Sequence, residues 1–135
     1  MNDTVGLKYQ QLIFDVNELY ARKFRSRLLA MRDSIASDMK ADPENMTGVF
    51  SIFLLTLKSE VRQEESLIIG EITRDFYLEP KDSAYTKWRA KIDKGLVQMA
   101  EYRTTKEDCR RFVARKPLDK RYKEEKRLVG DMFPQ

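Results

Sequence analysis

The side chains in this sequence best equipped for chemistry are cations. Arg103, Lys106, Arg110, Arg111, Arg115, Lys116, Lys120, Arg121, Lys123, Lys126 and Arg127 share residues 103–127 with five acidic residues, a net +6. Residues 1–102 hold 15 basic and 16 acidic residues, so the chain's overall +4 is owed to this one segment. Such a concentration suits a polyanion: each Lys or Arg that neutralises a phosphate releases counterions, giving affinity that falls with salt and carries little sequence information. Arg also grips phosphate with two parallel hydrogen bonds, and Phe112 and Tyr122 are placed to stack on bases if they are exposed. The competing reading is a solvated helical surface whose cations pair with Glu107, Asp108, Glu124 and Glu125.

A second basic interval holds Arg22, Lys23, Arg25, Arg27 and Arg32 with no acidic residue among them. Arg22 and Arg25 lie near one helical face and are candidates to assist the C-terminal cations. Alternatively the interval pairs with Glu60, Glu64 and Glu65 across a helical hairpin.

Other chemistries lose their parts. Histidine is absent, which excludes Ser-His or Cys-His nucleophile pairs, His-ligated zinc and di-iron sites built on Glu-x-x-His. The single cysteine, Cys109, makes no internal disulfide and no zinc cluster, and Gly48, Gly70 and Gly95 are too scattered for a phosphate loop. Glu64, Glu65, Glu71 and Asp75 remain as a conceivable magnesium set, although exposed helical carboxylates are common. The reading is of a non-enzymatic chain with no metal and no cofactor.

The elements that must carry these residues are helices. Hydrophobic residues at 41%, charged residues at 36%, five Gly and four Pro fit a mostly helical chain. Tyr9, Leu12, Ile13, Val16, Leu19, Tyr20, Phe24, Leu28, Met31, Ile35 and Met39 recur at helical spacing and predict a first helix over residues 5–41. Asp42-Pro43-Glu44 reads as an N-cap followed by proline at the first helical position. A second helix is predicted from there to about Tyr77, closing near Glu79-Pro80. Its segment Val49–Leu57 is the most apolar in the chain and predicts burial on most sides, supplied either by the chain itself or by a second subunit. Gly70 marks either a bend or a close helix crossing.

Asp82 or Ser83 should cap a third helix with the stripe Tyr85, Trp88, Ile92, Leu96, Met99 and Tyr102, where Trp88 reads as core and Gly95 permits close packing. Thr104 with Glu107, or Thr105 with Asp108, makes a capping box and predicts a break. A last helix is predicted over residues 118–129, between Asp119 and Gly130.

The expected fold is therefore all-α: a long antiparallel hairpin, a third helix packed on it in a bundle-like arrangement, and short basic C-terminal helices. Residues 1–116 form the helical domain and residues 117–135 a basic tail of the same domain. The leading reading is a non-enzymatic accessory protein that binds nucleic acid through the basic C-terminal segment, and the alternative is a self-associating helical interaction or assembly module. Nucleic acid, DNA or RNA, would take the basic segment, and a protein, including a second copy, would take the surplus apolar residues Val49, Leu54, Leu55, Leu67 and Ile69. No membrane partner is expected, since Lys58 and Glu60 end the apolar run well short of the roughly 18 residues needed to span a bilayer. The lack of a basic-then-apolar leader and the lone cysteine predict an intracellular location, cytoplasmic or nuclear, not secretion.

Overall fold

The structure, a computed structural model, describes residues 4–116 of the chain. Helix α1 spans Thr4–Ala41, α2 Pro43–Thr73, α3 Ala84–Gln98 and α4 Lys106–Val113. No strand occurs among the described residues, and the fold is all-α. The described residues form two compact units, divided between Arg103 and Thr104.

In the first unit α1 and α2 form the antiparallel hairpin. Arg27 meets Glu64, and Tyr9 near the start of α1 donates to or accepts from Thr73 Oγ1 at 2.8 Å, at the end of α2. A single residue, Asp42, turns the corner. Its carboxylate does not cap the helix as the sequence predicts; it accepts from the Asn45 side chain at 2.7 Å instead. Pro43, lacking an N–H, reduces the need for a cap there.

The end of α2 widens into a π-helical turn at Arg74–Leu78, closed by the Glu79 amide on the Arg74 carbonyl at 2.7 Å. The wider turn aims two consecutive side chains, Asp75 and Phe76, inward. From there the chain passes through residues 79–83 into α3. Leu12, Val16 and Leu19 of α1, Ile72 and Phe76, and Ala84, Trp88 and Ile92 of α3 then close one three-helix core. Trp88 is core, as its stripe predicts. Arg89 ties α3 to α1 by an ion pair with Asp15 at 2.8 Å while also holding Asp93 at 2.6 Å. Gly95 lets α3 approach α1 closely, because a Cβ there would stand 3.0 Å from Leu19 Cδ1. Gly70 has no such neighbour, so among the described residues no helix crosses closely there.

The core lies far from the corner. With 15 residues, α3 covers only the base of the hairpin. Toward the corner the two long helices continue as a two-helix arm in which Ile35 and Leu57 are the buried side chains. Among the described residues the chain itself does not bury Val49–Leu57 on most sides. Within that segment Leu57 alone is buried, and Ile52, Phe53 and Leu55 are exposed. Two helices cover each other along one stripe only, and α3 does not reach the remainder.

The third helix also ends sooner than its apolar stripe suggests, at Gln98, and is followed by a 3-10 turn at Ala100–Tyr102. Among the described residues no helix is long and apolar enough to cross a membrane.

In the second unit, α4 begins with a full capping box. Thr105 Oγ1 accepts from the Asp108 amide at 3.1 Å, and the Asp108 carboxylate accepts from the Thr105 amide at 2.9 Å. Of the two boxes the sequence allows, this one forms. The helix ends in a Schellman arrangement, with the Lys116 amide on the Arg111 carbonyl at 2.8 Å and the Arg115 amide on Phe112 at 3.1 Å. Arg115 takes the left-handed position, φ 56°, that glycine usually fills. The helix predicted over residues 118–129 lies outside the described residues.

Candidate functional site

Cations come first. In the basic interval of α1, Arg22 is drawn into the fold: its Nε meets Glu18 at 3.2 Å and its Nη1 donates to the Leu96 carbonyl at 2.6 Å. Arg25 donates to the Tyr102 carbonyl at 2.7 Å. Leu96 lies in the last turn of α3 and Tyr102 closes the 3-10 turn that follows, both places where helix carbonyls lack intrahelical donors and the helix dipole is negative. Two arginines of one helix thus satisfy the end of another. Arg27 forms a two-pronged pair with Glu64 at 3.1 and 2.8 Å, and this hydrogen-bonded pairing raises the Arg27 guanidinium further above its ordinary value. Lys23 sits 4.7 Å over the Tyr20 ring and Arg32 lies 3.8 Å from Asp33. The interval serves mainly to hold helices together. Of the alternatives the sequence leaves open, pairing with the second helix occurs at Glu64, while Arg22 and Arg25 find backbone acceptors that charge patterns do not reveal.

The C-terminal cations divide by position. Arg103 is exposed at the end of the first unit, with Nη1 3.4 Å from the Ala100 carbonyl. In the second unit, Lys106 and Arg110 stand one turn apart on α4 and are exposed. Glu107 takes both Arg110, at 3.1 Å, and Arg111, at 3.9 Å. Acidic residues in the first turn and arginines in the last complement the dipole of α4, so part of this charge supports the helix itself. Arg115 and Lys116 are exposed beyond its end, and Phe112 and Val113 are exposed beside them. Lys120, Arg121, Lys123, Lys126 and Arg127 lie outside the described residues.

The carboxylates do not converge. Asp75 is 3% exposed and accepts from the Trp88 indole at 2.9 Å, with Lys81 Nζ at 3.4 Å and Arg74 Nε at 3.5 Å from its other oxygen. The Trp88 hydrogen bond, aided by Lys81 and Arg74 against the opposing effect of burial, holds this carboxyl below its ordinary range. It is a structural tie between the π-helical turn and α3. Glu64 is engaged by Arg27, and burial raises the Glu65 carboxyl. Among the described residues no three acidic or cysteine side chains gather to hold a metal ion.

What remains open is apolar. On the side of α2 turned away from α1, Ile52, Leu55, Ser59, Arg62 and Ser66 follow one another at alternating steps of three and four, and all are exposed. The steps are those of a coiled-coil seam, with apolar residues at Ile52 and Leu55 and polar ones at Ser59, Arg62 and Ser66. A shallow groove of about 830 Å³ runs along its lower part, between Leu55, Arg62 and Leu67, with the two serines leaving room for a neighbour's side chains. Sequence reasoning offers Leu55 and Leu67 of this face to a protein partner but does not single out Ile52. The seam shows only once the face toward α1 is known. No protein-family model, curated protein or solved structure matches the chain.

Proposed function

We propose that the chain is a non-enzymatic helical interaction module that self-associates through the outward face of the α2 arm. The carrying observation is the exposure of Ile52 and Leu55, 64% and 67%, at the head of a seam with heptad spacing. Burying side chains of this size contributes about 1.5–3 kcal/mol each. A second copy brings the same face, so an α2–α2 contact around a twofold axis buries each pair twice. Light scattering on the full chain over a concentration series tests this. A dimer or higher assembly is expected, with Ile52→Asp and Leu55→Asp returning a monomer of unchanged helicity. A strict monomer at high concentration overturns the reading.

A second reading concerns the C-terminal segment. Its support is the +6 concentrated in residues 103–127, with Lys106, Arg110, Arg115 and Lys116 exposed around α4. In this reading the segment contacts the phosphate backbone of DNA or RNA with little sequence preference. Gel shifts over a salt series should show binding that weakens steeply with ionic strength. Reversing Lys106, Arg110, Lys120 and Arg121 to Glu should remove it, and absence of binding at low salt excludes it.

A further inference from the structure

Between the three helices of the first unit lies a cleft of about 490 Å³ that neither proposed activity uses. Its size is within the roughly 300–1,000 Å³ range of small-molecule sites. The walls are apolar: Leu19 from α1, Ile68 from α2, and Ile92 and Met99 from α3 and the turn after it. Gly95 forms part of one wall, and any larger residue there would press on Leu19.

The polar lining is of one sign. Lys23, Lys91 and Lys94 line the cleft with Gln98, and no acidic side chain does. Among the described residues none of these three lysines has a carboxylate within ion-pair distance. Lys23 rests over the Tyr20 ring at 4.7 Å and Lys91 over the Trp88 ring at 4.9 Å, which keeps two ammonium groups beside the cleft without neutralising them. Several arginines of this unit are held by carboxylates: Arg27 by Glu64, Arg89 by Asp15 and Asp93, Arg22 by Glu18. An apolar floor under three unmatched ammonium groups calls for a ligand with both characters.

We propose that this cleft binds a small amphiphilic anion, an apolar chain headed by a carboxylate or a phosphate, with the chain against Leu19, Ile92 and Met99 and the head among Lys23, Lys91 and Lys94. The test uses the full chain and four probes below their aggregation concentrations: decanoate, decyl phosphate, decanol and inorganic phosphate. Binding is read by calorimetry and by the fluorescence of the single tryptophan, Trp88, which lies under Lys91.

One decyl anion should bind per chain, whichever head is preferred, and the tighter of the two identifies the natural head group. Decanol and inorganic phosphate should each bind at least about tenfold more weakly, since each lacks one half of the recognition. Lys94→Glu and, separately, Lys23→Glu should weaken the preferred anion about tenfold or more, while Lys94→Arg retains it. Lys94 is exposed, so its reversal leaves the helices intact, which circular dichroism checks. Failure of both decyl anions to saturate, equal binding of decanol, or reversals without effect would overturn the proposal.

Discussion

At the level of single residues, two positions separate what a side chain is from what its place requires. Gly70 sits in the middle of a helical run with open space where a Cβ would go, so it contributes flexibility and no packing. Gly70→Ala should raise stability by about 1 kcal/mol, read as a higher thermal midpoint. The same change at Gly95 should lower it, because Leu19 must move. Asp75 presents the opposite case, a charge the fold depends upon. Its carboxyl titrates below the ordinary value of 3.8, so its contribution is present above that pH and is lost as pH falls through the lower folded value. Asp75→Asn should therefore destabilise the chain near neutrality. As pH falls from above 3.8 through the lower folded value, the variant should lose less stability than the parent, as followed by urea unfolding. An equal acid loss in both would show that Asp75 does not set it.

Elements are held together by contacts of unequal worth. Arg27 and Glu64 are each more than a third exposed, and despite their two-pronged geometry Glu64→Gln should cost under about 1 kcal/mol. Arg22 is more enclosed and satisfies a carbonyl that α3 cannot satisfy itself, so Arg22→Ala should cost about 1–3 kcal/mol and loosen the end of α3 first. Comparing the two variants by chemical denaturation checks the ranking. The first contact was legible in the sequence, as opposite charges facing across an antiparallel hairpin. The second was not, because its acceptor is a backbone carbonyl 74 residues away, and periodicity says nothing of carbonyls. Asp75 was missed for a related reason. It reads as one more acid on a helical flank, and only the π-helical turn rotates it toward Trp88.

At the scale of the molecule, helical class, hairpin and third helix were all readable, because apolar spacing reports which face of a helix is buried. Spacing does not report how far along its length a helix is covered. Val49–Leu57 has a strong stripe in an arm that α3 does not reach, so of the most apolar stretch only Leu57 joins the core. The placement of Leu12, Val16 and Ile92 follows their stripes closely, since at the base of the hairpin three helices do meet. The break at Thr104 was readable from its capping pattern, whereas the left-handed Arg115 carries no glycine to announce it.

The distance between corner and core has a consequence in time. Residues adjacent in sequence around Asp42 sit where packing is thinnest, while the well-buried core joins Leu12 and Val16 to Ile72 and Ile92 across 56 to 80 positions. The arm should open as a local unit without disturbing the base. In native-state hydrogen exchange, amides of residues 36–56 should therefore exchange at a far lower opening free energy than those of residues 12–20 and 68–76. If an assembly closes over the arm, raising protein concentration should slow exchange there and leave the base unchanged.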